Sequence, residues 1–283
     1  MILSEVFDRL YEIGQQNREK SGTDDLRVMS NNVLNTKDPA SLQSPISFEE
    51  RATILGSYYL YFAPDLLGLQ EISQEMLAIL MSCIGEQYAV VDTSGEDNNY
   101  TPVLYRKDRF EPVDAKFHHF QVGGCWSYQW ALFRDIYIPD RTVIHMNLHY
   151  YYKNSEGRRP GAKEVNNELR VLVGEYSDTP IFITGDYNCY TTSQEYLDSF
   201  DGLRISSGML LAKQHDDYLC GFHRLGDMKP VADVPSIDHI SVTSDFVDVE
   251  LYRKIVDRMI CTATDHYPIF IDVRYKARKG GGR

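Results

Sequence analysis

Cysteine is scarce and poorly placed for structural chemistry: Cys83, Cys125, Cys189, Cys220 and Cys261 are odd in number, widely spaced and include no Cys-x-x-Cys pair. That pattern argues against a zinc site and against a disulfide framework. Long apolar runs are missing too. No stretch approaches the ~18 residues that a membrane-spanning helix needs. The first turns carry Glu5, Asp8, Glu12 and Arg18 where a secretory leader would be continuously apolar. A cytoplasmic location with no stable membrane association is therefore expected of the chain as given, although a leader already removed would leave no trace. Positive charge is in deficit, with 29 Lys and Arg against 41 Asp and Glu and a net charge of −12. Proteins that grip duplex DNA over a broad face do so by neutralising phosphates with Lys and Arg, so tight metal-free nucleic-acid binding is disfavoured. Acidity does not exclude a phosphate substrate if the site itself holds a divalent cation. What the chain does have is bulk: 283 residues at 43% hydrophobic content can bury a substantial core, as one large domain or two small ones.

Residues 1–24 show apolar residues at Ile2, Val6, Leu10 and Ile13, an approximate helical stripe, and are expected to form an appended helix. Leu26 to Val33 reads as a strand whose apolar character yields to Asn31 and Asn32. Ser47-Phe48-Glu49-Glu50 is a capping box that opens a helix through Ala52, Leu55, Tyr59 and Phe62, stopped by Pro64. Leu66 to Glu71 is a short buried strand ending in a carboxylate, and Gln74 to Ile84 is again helical. Strand, helix, strand, helix is the rhythm of an α/β domain with polar residues gathered at corresponding strand ends. From Tyr88 the runs Tyr88 to Asp92, Thr101 to Tyr105, Trp130 to Ile138 and Thr142 to His149 suggest an antiparallel meander. In the last of them alternation puts His145, Asn147 and His149 on one face, a candidate site wall.

The loop Tyr150 to Arg159 mixes aromatics and cations and could stack bases or hold phosphates, against the blander reading of a solvated loop. Helices are expected over Lys163 to Glu175 and Ser193 to Phe200, while Ser206 to Ala232 carries no clear pattern. Between those helices lies Ile181-Phe182-Ile183-Thr184-Gly185-Asp186-Tyr187-Asn188, a buried strand that stops abruptly in polar chemistry. If the strand continues extended, Asp186 and Asn188 share a face and can grip one water or one phosphate. Two late strands, Ser236 to Val242 and Ile269 to Val273, are preceded or opened by Asp238 and by Thr264-Asp265-His266-Tyr267-Pro268. The tail, residues 276–283, is basic and Gly-rich.

Taken in order, Met29 to Val33, Leu69-Gln70-Glu71, Asn147-Leu148-His149, Gly185 to Asn188, Ile237 to Ile240 and Thr264 to Pro268 resemble the endonuclease/exonuclease/phosphatase superfamily over nearly the whole chain. The resemblance implies a single domain over residues 25–275, an α/β four-layered sandwich of two packed mixed sheets flanked by helices, with a site at one rim. It also implies Mg²⁺, with Mn²⁺ as a substitute. Carried over, Asn32, Glu71 and Asp265 would hold the metal, and Asp186 and Asn188 would orient water and phosphate. His149 and His266 would contact phosphate oxygens, and Asp238 would orient His266. The expected activity is hydrolysis of phosphate esters by in-line attack of water, foremost as a nuclease-like phosphodiesterase, with nucleic acid among the candidate substrates. A phosphomonoesterase, a sphingomyelinase-like phospholipid hydrolase and a non-catalytic binding module remain open, and the oligomeric state is unread. Two departures stand out: Asn98-Asn99 fills a place where a carboxylate bracing His149 is expected, and Tyr187 replaces the commoner Phe.

Overall fold

The computed structural model describes residues 3–21, 26–93, 100–138, 140–216 and 220–276. In chain order the elements are α1 (Leu3–Ser21), β1 (Leu26–Asn32), α2 (Pro39–Leu42), α3 (Phe48–Phe62), β2 (Leu66–Gln70), α4 (Gln74–Ile84), β3 (Tyr88–Val90), β4 (Val103–Arg106), β5 (Phe110–His119), β6 (Ser127–Asp135) and β7 (Thr142–His149). There follow α5 (Ser155–Glu175), β8 (Ile181–Asp186), α6 (Gln194–Ser199), β9 (Ile205–Ser207), α7 (Gly208–Leu211), β10 (Gln214–His215), β11 (Asp238–Thr243), β12 (Val247–Lys254), α8 (Arg258–Ala263) and β13 (Ile269–Tyr275).

The strands form two mixed sheets, one of seven strands ordered β10-β12-β13-β1-β2-β4-β3 and one of six ordered β5-β6-β7-β8-β11-β9. Each has one helix-linked parallel pair at its centre, β1 with β2 and β7 with β8. Apolar packing falls into the layers this implies. Leu26, Val28, Leu66, Phe133, Val143, Phe182, Ile240 and Ile271 fill the space between the sheets. Met29, Leu55, Tyr59, Leu69 and Leu80 join α3 and α4 to the outside of the first sheet. Met146, Leu148, Val165, Leu169 and Ile183 join α5 to the outside of the second. The result is the α/β four-layered sandwich expected from the sequence. The local signals act as read for α3: Ser47 Oγ accepts from Glu50 N, Glu50 returns the bond to Ser47 N, and Ala63 closes the helix in the left-handed conformation ahead of Pro64. The appended helix α1 packs on α3, with buried Phe7 joining the same cluster and Gly14 seated against the carbonyls of Leu60 and Tyr61.

Several expectations are corrected. The run from Tyr88 to His149 is no single meander: β3 and β4 extend the first sheet, while β5, β6 and β7 build the second. Between them lies a strand the alternation concealed. β5 contains Pro112 and Asp114, is an outermost strand of its sheet, and is mostly exposed along its middle, so it needs no apolar face. Helix α5 starts at Ser155 with Asn154 as its cap, so the last residues of the presumed loop form its first turns. Tyr150 is fully buried, and Arg158 pairs with Glu195 at 2.9 Å. The unread region after Ser206 contributes β9, α7 and β10, and the strand β12 and helix α8 had no signal assigned to them. Asn98, Asn99 and the tail beyond Lys276 lie outside the described residues.

Where β2 meets β7 the sheets approach closely. A Cβ on Gly68 would collide with the side chains of Thr184 and Asn147. Gln70 Nε2 donates to Asn147 Oδ1 at 2.6 Å, Asn147 Nδ2 donates to the Leu69 carbonyl at 2.6 Å, and His145 Nε2 meets Thr184 Oγ1 at 2.8 Å. His145 and Asn147 are thus a buried polar layer clamping the two sheets. Of the three residues expected as a site wall, only His149 reaches the rim. Burial holds the His145 imidazole neutral, pushing its pKa down to about 3.

Candidate active site

Strand direction and register assemble the site. β1 and β2 run parallel and end together at Asn32 and Gln70, which leaves Glu71 one step past the edge. In the second sheet the register pairs His149 with Asp186, and Asp186 with Asp238 on antiparallel β11. The last two strand ends of the second sheet therefore face those of the first across the sandwich. Asn32 Nδ2 bridges them, donating to Glu71 Oε1 and to Asp186 Oδ2, both at 3.0 Å. Glu71 Oε2 accepts from Asn35 N at 3.0 Å. His149 Nε2 lies 3.8 Å from Glu71 Oε1 and 3.7 Å from Asp186 Oδ2, so the histidine left without an anionic neighbour in the sequence reading has two.

A second group abuts the first through Asp186. His266 Nδ1 sits 2.9 Å from Asp238 Oδ2 and 3.1 Å from Oδ1, and its Nε2 is 3.9 Å from Asp186 Oδ2. Burial alone would lower the His266 pKa. The charge of Asp238 and the hydrogen bond to it outweigh burial and hold the imidazole well above its usual value, hence as imidazolium. Asp265 points its own charge into the same region. Its Oδ1 is buried with no hydrogen-bond partner, and burial, with the charge of Glu71, raises its pKa even against the nearby His266.

Two local conformations depart from simple strand ends. Glu71 has φ +64°, a left-handed backbone uncommon for this residue type, and such strain is held where the surroundings over-determine it. Asn188 also turns left-handed at φ +49°, so the extended strand assumed for it stops at Asp186. The turn nonetheless returns Asn188 to its neighbour: its N–H donates to Asp186 Oδ1 at 2.8 Å, while Nδ2 donates to the Tyr150 carbonyl at 2.9 Å.

All eight residues singled out in the sequence, Asn32, Glu71, His149, Asp186, Asn188, Asp238, Asp265 and His266, lie in this one neighbourhood, joined by the contacts above. One supporting residue was missed. Arg51 is completely buried and donates to the carbonyls of Val33, Leu34 and Ala263 at 2.6 to 2.7 Å, tying the loop after Asn32 to the end of α8 ahead of Asp265. The signal was present, because position 51 falls one helical turn before Leu55 on the apolar stripe of α3, where a cation needs a reason.

The donor set suits a hard divalent cation. Glu71, His149 and Asp186 each offer an atom within 4.8 Å of the others, as do Asp186, Asp238 and His266. Carboxylate oxygens dominate, and the buried Asp265 Oδ1 lacks a partner that a cation would supply. Asn32 accepts from Leu34 N through Oδ1 at 3.0 Å and donates through Nδ2 to Glu71 and Asp186, so it braces both carboxylates. Among the described residues no Lys or Arg forms an ion pair with Glu71, Asp186, Asp238 or Asp265.

The sequence matches no family model and no curated protein. Solved structures do match. The chain is similar to an endonuclease/exonuclease/phosphatase family protein of Bacteroides thetaiotaomicron, with TM-score 0.76 and 19% identity over 88% of this chain and 97% of the other. It is equally similar to a mannosyl-6-phosphatase of the same organism, with TM-score 0.76 and 19% identity over 88% of this chain and 100% of that one. The human Nocturnin catalytic domain follows at TM-score 0.69 and 16% identity, over 89% and 94% of the two chains. The chain has the endonuclease/exonuclease/phosphatase fold.

Proposed function

We propose that this protein hydrolyses phosphate esters with a divalent cation, Mg²⁺ or in its place Mn²⁺. The observation that carries this is the meeting of Glu71, His149, Asp186, Asp238 and His266 from five separate strand ends and loops in a carboxylate-rich pocket where, among the described residues, no Lys or Arg forms an ion pair, the buried Arg51 acting on Glu71 only through its charge. A cluster of that kind is costly unless a cation joins it. Glu71 and Asp265 would hold the ion, with Asn32 keeping Glu71 and Asp186 in place. When bound, the ion supplies charge stabilisation for the phosphoryl oxygens. Asp186, buried and fixed by Asn32 and Asn188, accepts the proton of the attacking water. Asn188 has spent its Nδ2 on Tyr150, which leaves Oδ1 to orient that water. His266, kept protonated by Asp238, donates to the phosphoryl or leaving oxygen, and His149 offers a second imidazole beside the same carboxylates.

The fold of an endonuclease/exonuclease/phosphatase family protein, of a mannosyl-6-phosphatase and of Nocturnin supports a phosphoester reading without choosing an ester. A nuclease-like phosphodiesterase is the second reading. Its support is the exposed Tyr152 with Lys153 Nζ 5.6 Å from the ring centre, a small platform that a base could stack on. The test is turnover of bis-p-nitrophenyl phosphate and p-nitrophenyl phosphate with Mg²⁺ by the wild type, Glu71→Ala and His266→Ala. Losses of about 10²–10⁴ in kcat/KM are expected, the range for removing an acid–base or electrostatic group. Equal rates in all three proteins would sink the proposal.

A further inference from the structure

Next to Glu71 is a cavity of about 500 Å³ lined by Asn35, Tyr100, His119, Gly123, Gly124 and Cys125. It is contiguous with the site: the Asn35 N–H that bonds Glu71 belongs to its wall, and Cys125 lies within reach of the Glu71 charge, which together with burial pushes that thiol up. Its volume falls within the range of small-molecule sites, roughly 300–1,000 Å³. Its chemistry is unusual for a phosphoryl site, because none of the six lining residues is Lys, Arg, Asp or Glu. Lys37, a near neighbour in sequence, does not line it. What the wall offers is neutral hydrogen bonding and aromatic surface. Asn35 uses Oδ1 on Lys37 N and leaves its Nδ2 uncommitted, Tyr100 presents a phenol, and the His119 Nδ1 makes no hydrogen bond. Gly123, at φ +74°, leaves its side open, since a Cβ there would meet nothing within 4 Å, while Gly124 is backed by the Trp126 ring.

We propose that this cavity seats the alcohol portion of the substrate, and that it selects an uncharged hydroxylated ring bearing a single phosphate, a sugar or nucleoside monophosphate, over esters that carry further phosphates. The inference rests on the phosphoester reading above and narrows it. With the reacting phosphate held beside Glu71, Asp186 and His266, a second phosphate placed in this cavity would leave water for a wall that, among the described residues, has no Lys or Arg to receive it. A neutral ring instead exchanges water for Tyr100, Asn35 and His119, whose groups match hydroxyls or ring nitrogens.

The experiment compares two matched pairs with Mg²⁺: glucose 6-phosphate against glucose 1,6-bisphosphate, and adenosine 5′-monophosphate against adenosine 3′,5′-bisphosphate. Expected is at least a tenfold higher kcat/KM for the monophosphate in one or both pairs, the pair showing it identifying sugar or nucleoside. His119→Lys, which adds a cation to the wall, should narrow or reverse that ratio by a further tenfold. Bisphosphates turned over as well as monophosphates in both pairs would overturn the proposal. A separate readout keeps it apart from the parent reading. Trp126 fluorescence is titrated with the same four compounds, with Trp126→Phe as the blank. If no ester is hydrolysed, the phosphoester reading fails; a saturable monophosphate-selective change would still support the cavity, and its absence would sink the cavity as well.

Discussion

The strands that carry the site also carry a second polar cluster at their opposite ends, and the two are built on contrary terms. At the far rim Arg27, near the start of β1, makes a two-pronged bond to Asp272 at 2.6 and 2.7 Å. Asp65, just before β2, is completely buried and receives Arg106 Nη1 and Arg109 Nη1, both at 2.9 Å, and the Arg27 N–H at 2.7 Å. Arg109 reaches on to Asp135 at 3.3 Å. There every buried anion has a guanidinium. At the near rim Glu71, Asp186, Asp238 and Asp265 gather around one another with imidazoles as their only ion-pair partners among the described residues, and the buried Arg51 reaches Asp265 and Glu71 through its charge alone. Pairing every buried anion with a guanidinium makes a rim structural, whereas leaving carboxylates without direct ion-pair partners makes a rim a candidate binding site.

The largest consequence should come from spoiling the matched rim. Asp65→Ala leaves Arg106 and Arg109 buried without their shared anion, a change of a kind that costs about 3–5 kcal/mol. Thermal unfolding should fall by roughly 10 °C for a chain of this size, while kcat/KM of the protein that remains folded is unchanged. A Tm unmoved by this substitution would show that the far rim is not the structural one.

Next in size is the charge state of His266. Its pKa is raised in the folded protein, so the imidazolium persists at neutral pH and is lost only as pH rises through that raised value; the same proton accounts for any stability that the pair with Asp238 adds at lower pH. Activity that needs the imidazolium therefore has an alkaline limb. Asp238→Asn removes the anion that outweighs burial, so the limb should move to lower pH and the rate at pH 8 should fall about tenfold more than at pH 6. A pH–rate profile of the variant parallel to that of the wild type would separate His266 from the reaction.

The near rim was more legible in the sequence than the far one. Asn32, Glu71, His149, Asp186 and Asp238 announce themselves as polar residues at the ends of apolar runs, a local conflict that function explains. Arg27, Asp65, Arg106 and Arg109 sit in equivalent places, yet charged residues at strand starts look like ordinary surface, and only the tertiary structure pairs them. Face alternation correctly grouped His145 with Asn147 and His149, but alternation says nothing of depth, and the first two are sealed between the sheets. Asn188 shows the converse: it was placed in the site by extending a strand that in fact ends, and it is there because a left-handed turn folds it back. Strand β5 was invisible because an outermost, half-solvated strand with Pro112 carries no apolar rhythm to detect.

The smallest effect is the most direct test of the unmatched rim. Asp265 keeps a buried carboxylate oxygen without a hydrogen-bond partner, and its raised pKa means that folding disfavours its charge; the penalty grows as pH rises above the ordinary carboxylate range. Asp265→Asn removes that penalty with little change of shape, so in EDTA the variant should be more stable than the wild type by about 1 kcal/mol. Mg²⁺ should reverse the order, because a ligand that binds only the folded state stabilises in proportion to the logarithm of its saturation, and the variant has given up a ligand oxygen. Asp65→Asn at the far rim should lose stability in EDTA and respond to Mg²⁺ as the wild type does. If Asp265→Asn instead lost stability in EDTA and gained as much from Mg²⁺ as the wild type, the two rims would not differ in kind.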